Sequence, residues 1–120
     1  MNLTFTARSI IEAENERGGE SFVKIASDFS MRNITLLVRK GMRLEKKDEN
    51  QALDAIDAYL AGGENRSVFS LYGEIIDKLE EDRFLAKELK IGENFRKAMK
   101  NPEALQTNGQ KESEQPSQLD

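Results

Sequence analysis

Apolar positions recur along the first hundred residues at the spacing of short helices, and glycines or charged clusters separate them. Leu3 and Phe5 alternate with Asn2, Thr4 and Thr6, the pattern of a short N-terminal β-strand or of an extended lead-in. Thr6 stands where a helix N-cap is needed, since its hydroxyl can accept from a free amide of the first turn. Phe5 precedes that cap and Ile10 follows at the fourth helical position, which predicts a hydrophobic staple. Ala7, Ile10 and Ile11 form the expected buried face, with Glu12, Glu14, Glu16 and Arg17 toward water. Gly18-Gly19 ends this helix, because glycine accepts left-handed backbone geometry.

Ser21 is positioned to cap a second short helix carrying Phe22, Ile25, Ala26 and Phe29 on one face. A third helix is predicted from Arg32 to Lys40, with Ile34, Leu37 and Val38 inward. Arg39 and Lys40 fall near its negative end, and Gly41 closes it. Arg43 to Glu49 is charged and reads as a loop. Asp48 and Gln51 have capping-box spacing and open a fourth helix with Leu53, Ile56, Tyr59 and Leu60, which ends at Gly62-Gly63. Asn65 or Ser67 caps a fifth, whose stripe of Val68, Tyr72, Ile75, Ile76 and Leu79 is the cleanest helical period in the chain. Gly73 interrupts it and suggests close packing by a neighbour.

Beyond Glu80-Glu81-Asp82 the pattern loosens, although Phe84, Leu85, Leu89, Ile91, Phe95 and Met99 still recur. The final segment, NPEALQTNGQKESEQPSQLD, has two leucines, no aromatic residue and both prolines of the chain. It lacks the apolar area to offset the entropy of ordering and reads as disordered. The fold class is therefore mainly α. One small domain over residues 1–100 holds five or six short helices, and residues 101–120 form a polar tail.

Composition narrows the chemistry. None of the 120 residues is Cys, His or Trp, which removes thiol nucleophiles, disulfides, Cys/His zinc sites and histidine acid–base catalysis. No cofactor is expected, and the many carboxylates are accounted for by helix surfaces, so the chain does not read as an enzyme. An EF-hand loop starting at Asp48 would place Ala52 and Leu53 at its fifth and sixth positions, where a ligand and a glycine are required. Neither glycine pair belongs to a phosphate-loop pattern. No apolar run approaches the ~20 residues needed to span a bilayer. The N-terminus does not read as a signal peptide, so a cytoplasmic location is expected and no membrane partner.

The net charge of −4 is unevenly spread: residues 1–82 carry −5, residues 83–100 carry +4 and residues 101–120 carry −3. The basic stretch reads as a solvated face or as a surface for an acidic partner.

The opening segment LTFTARSIIEAENERGGESF, with its extended start, glutamate-rich helix and Gly-Gly-x-Ser-Phe exit, resembles that of the tail assembly chaperones of long-tailed bacteriophages. RNITLLVRKGM is similar to that family's short apolar helix, DENQALDAIDAYLAGGE to its acidic helix and glycine break, and VFSLYGEIIDKLEEDRFL to its late helix. The resemblance spans about residues 1–86, and the order and spacing of the segments carry it. It implies a protein that shields the tape measure protein, helps recruit tail tube subunits and is absent from the finished virion. It also implies that a longer form made by frameshifting can accompany this one.

Two other readings of the chain stand beside it: a helix-turn-helix regulator that binds nucleic acid, and a small head–tail structural protein. Against the regulator, residues 21–40 lack a strongly basic helix and residues 1–82 are acidic. For a partner or for a second copy of the chain, the expected contact surface is Phe84, Leu85, Phe95 and Met99 with Arg96 and Lys97. The apolar groups supply burial there and the basic groups supply steering.

Overall fold

A computed structural model describes the backbone of residues 1–100 and the side chains of residues 1–98. The expected polar tail lies outside the described residues. The described chain divides into two units, one over residues 1–89 and one that begins at Lys90.

In the first unit an extended lead-in is followed by α1 (Ala7–Glu16), α2 (Phe22–Ser27), α3 (Met31–Gly41), a 3₁₀ turn (Lys46–Asp48), α4 (Glu49–Ala61), α5 (Val68–Glu81) and a second 3₁₀ turn (Lys87–Leu89). The second unit contributes α6 (Ile91–Lys100). There is no strand among the described residues. The lead-in is nevertheless tied down: the Thr4 amide donates to the Gly41 carbonyl at 2.8 Å, and the Phe5 amide donates to Asp82 Oδ2 at 2.9 Å. Leu3 and Phe5 are both buried. Their alternation thus reflects an extended segment pressed onto helices, with Thr4 facing out.

The helix boundaries follow local chemistry. Thr6, Ser21, Ser30 and Ser67 each accept from a backbone amide of the following first turn, and Ser67 forms a reciprocal box with Ser70. Gly18 and Gly19 have φ of +68° and +89°, which only glycine adopts at little cost, and the Gly19 amide returns to the Glu14 carbonyl at 2.8 Å. Asp48 makes no side-chain cap; the 3₁₀ turn leads straight into α4.

The centre of the first unit is α3. It packs against α1, α2, α4 and α5, and every residue from Asn33 to Gly41 is buried. Ile34, Leu37 and Val38 are buried, as are Phe22, Ile25, Ile56, Tyr72, Ile75, Ile76 and Leu79 on the other helices, and together they form the core. Two polar groups are satisfied inside it. The Tyr72 hydroxyl donates to the Ala26 carbonyl, and Asn33 Nδ2 donates to the carbonyls of Ile25 (3.2 Å) and Asp28 (2.8 Å), closing the C-terminal end of α2. Phe29 lies past the end of α2, stacked on Phe69 with ring centroids 5.0 Å apart.

Three inward assignments made from periodicity are corrected. On α1 the buried residues are Ser9 and Ala13, while Ala7 and Ile11 face solvent and Ile10 is half-buried. On α4 Ala52 takes the buried place and Leu53 is exposed. Gly73 faces open space, so no neighbour requires it; the close approach occurs at Gly41, where an added Cβ would lie 2.9 Å from Leu3 Cδ2 and 3.0 Å from Phe5 Cζ. Gly41 belongs to α3 because the lead-in crosses there, and it is not a left-handed stop.

Candidate interaction site

The residues expected to form a contact surface fall in both units: Phe84 and Leu85 in the first, Phe95, Arg96 and Lys97 in the second. Leu85 is only 3% exposed and completes the core of the first unit, held where its amide and that of Phe84 return to the Leu79 carbonyl at the end of α5. It is therefore withdrawn from the surface, a correction to its assignment as a contact residue. Phe84 is half-buried in the same turn, after Arg83, whose φ of +71° lets the chain reverse. Phe95, Arg96 and Lys97 lie on α6 of the second unit, and the Met99 side chain lies outside the described residues. Within α6, Ile91, Phe95 and Ala98 are spaced at i, i+4 and i+7, so they share one side, and Lys97 pairs with Glu93 at 3.2 Å on another.

A different surface, unmarked by any run of apolar sequence, lies on the first unit. Met1, Asn2 and Met42 form one bank of a groove of about 480 Å³, and Ala55, Ala58, Tyr59 and Arg66 form the other. The lead-in supplies the first bank because Leu3 and Phe5 anchor it over Gly41. The second bank is open because α4 carries alanine at two positions one turn apart. Tyr59 is the fixed element. Its hydroxyl donates to Glu74 Oε2 and lies 2.9 Å from Ser70 Oγ, and the Arg66 guanidinium sits 4.7 Å from its ring centroid. Burial, reinforced by Glu74, raises the Tyr59 hydroxyl above its ordinary value, so it stays protonated and keeps donating. A second groove of about 320 Å³ shares Met1 and Asn2 and runs along α5 past Leu3, Leu71 and Glu74.

Glu74, Asp77, Lys78 and Glu81 make the second groove largely charged, whereas the Tyr59 groove offers thioether, methyl and aromatic surface with Arg66 at its edge. That suits an apolar side chain of a partner better than a small polar substrate. The described residues contain no group of His, Cys, Asp or Glu able to hold a metal ion, and no described helix is long and apolar enough to cross a membrane.

The strongest electrostatic cluster is internal. Arg39 and Lys40, 3% and 5% exposed at the end of α3, converge on Glu16 of α1. Arg39 reaches both Glu16 oxygens, Lys40 Nζ lies 2.6 Å from Oε2, and Lys40 also reaches Glu12 at 3.5 Å. The Arg39 hydrogen bond, opposed by burial and aided by Lys40, brings the Glu16 carboxyl down to about 2. Sequence placed these two cations at a helix end for its dipole; the structure shows them buried as the clamp that fixes α1 on α3. Nothing in the local pattern marks this, because the pairing spans 23 residues. Searches of protein-family models, curated proteins and solved structures return no match to this chain.

Proposed function

We propose that this protein is a tail assembly chaperone of a long-tailed phage or prophage, acting in the bacterial cytoplasm on the tape measure protein and on tail tube subunits. The observation that carries the reading is the methionine-edged groove at Tyr59. A chaperone that releases its client needs apolar contact of modest area with adaptable side chains, and helix-in-groove docking provides it. The order of sequence segments described above supplies the identity of the client. The nucleic-acid reading is disfavoured by α3. It is the second helix of the α2–α3 pair, and its burial from Asn33 to Gly41 keeps it out of a DNA groove.

The test is co-expression with the tape measure protein of the same genome, whose gene is expected just downstream. The wild-type chain should keep that protein soluble and co-purify with it. Ala55→Glu with Ala58→Glu, which places two charges in the groove, should abolish co-purification while leaving the helical circular dichroism intact. Phe95→Ser with Met99→Ser asks the same question of α6. A tape measure protein that is insoluble with the wild-type chain, or that binds the groove variant and the α6 variant equally well, would overturn the proposal.

A further inference from the structure

We propose that α1 is a self-association face, on which two copies of the chain pair antiparallel across Ile11. The proposal rests on the geometry of α1 and is independent of the function argued above. The apolar stripe of this helix points away from its own core: Ile11 is 57% exposed, the most exposed large apolar side chain among the described residues, with Ala7 beside it and Ile10 half-buried. The helix cannot rotate to bury that stripe. Its opposite side is committed to α3 through Ser9, Ala13 and the Glu16–Arg39–Lys40 clamp.

The occupant follows from the arrangement of charges. In an antiparallel helix pair related by a two-fold axis at Ile11, residues on the same lateral edge face one another across the contact. Arg8, Glu12 and Asn15 lie along one edge of α1, four and three residues apart. The two-fold axis brings Arg8 of one copy beside Glu12 and Asn15 of the other, twice. Opposite charges and a short amide therefore meet at the rim, and Ile11 meets Ile11 at the centre. Arg8 is exposed, and Glu12 is half-exposed beyond its contact with Lys40, so both remain accessible. The surface is self-complementary, which is the requirement of a closed two-fold pair. Because it spans only about three turns of helix, the pair exchanges with monomer.

The chain has no cysteine, so Ile11→Cys supplies a unique thiol for the test. Under mild oxidation the full-length variant should form a disulfide-linked dimer, whereas Val23→Cys and Leu53→Cys, both at exposed sites, should remain largely monomeric. By sedimentation equilibrium the wild-type mass should rise with concentration toward twice the chain mass. Ile11→Lys should hold it at the monomer while the thermal midpoint stays within a degree or two. Arg8→Glu should weaken the dimer, and its effect should fade as salt is raised. A wild-type chain that stays monomeric at every concentration, an Ile11→Lys variant that still dimerises, or control thiols that cross-link as fast as Ile11→Cys would each overturn the proposal. So would loss of tape measure co-purification in Ile11→Lys when the wild-type chain alone is a monomer, since the stripe would then belong to the client.

Discussion

Replacing Glu16 by Gln should destabilise the first unit more than any other single change at the surface of α1. The substitution leaves Arg39 and Lys40 in place, 3% and 5% exposed, with Glu12 as the one remaining carboxylate, 3.5 Å from Lys40. Arg39 then retains no anionic partner among the described residues. Removing one member of a buried pair costs about 3–5 kcal/mol because the other charge is stranded. The titration of Glu16 gives a second estimate. A carboxyl held at about 2 rather than 4.5 corresponds to roughly 3 kcal/mol of preference for the charged form, at ~1.4 kcal/mol per pH unit. A quarter of the Glu16 side chain is exposed, so solvent screening reduces that to about 1–2 kcal/mol. Together these bracket the expected loss at about 2–3 kcal/mol at neutral pH, a large part of a total near 5–10 kcal/mol.

Urea unfolding followed by circular dichroism measures this directly. The pH dependence carries the sign. The folded Glu16 carboxyl lies below its unfolded value, so its contribution is fully present above about pH 4.5 and is lost as pH falls toward 2. The gap between wild type and Glu16→Gln should therefore narrow across that window. Replacing the whole cluster with apolar groups, Glu16→Leu with Arg39→Met and Lys40→Met, should be far milder than Glu16→Gln alone. A Glu16→Gln loss under about 0.5 kcal/mol, within the scatter of ordinary surface substitutions, would refute the reasoning. A gap that does not change between pH 4.5 and 2 would refute it as well.

The two glycines within helices of the first unit should respond in opposite directions. Gly41→Ala drives a methyl into Leu3 and Phe5 and should cost about 1–3 kcal/mol, whereas Gly73→Ala meets nothing within 4 Å and should stabilise α5 by up to about 1 kcal/mol, both read from urea midpoints. Ile75→Ala, at a fully buried position, should cost about 2–4 kcal/mol and lower the thermal midpoint accordingly; an unchanged midpoint would place Ile75 outside the core.

Where the chain made its own local case, sequence sufficed. The caps at Thr6, Ser21 and Ser67 and the α5 stripe with Ile75 and Leu79 inward depend on neighbours within a few residues, and each is present. Three of the failures share one cause, which is contact at long range. Periodicity turned Ile11 inward because it weighs apolar character alone, whereas α1 is oriented by an ion cluster with α3. Gly41 read as a helix stop because nothing nearby announces that Leu3 and Phe5 cross over it. The groove at Tyr59 was illegible for the same reason. It is built by Met1 and Met42 from two distant segments, and its alanines look like ordinary helix formers.

The position of α3 also governs how the first unit comes apart. Four helices rest on α3, so none of them can detach without uncovering part of it, yet each can fray at its own outer turn. Amide hydrogens in the middle of α3 should thus exchange with solvent deuterium only when the whole unit opens, at a rate set by its global stability. The outward turns of α1 and α4 should exchange through smaller openings. A protease digest under native conditions should likewise trim those outer turns first and cut within α3 last.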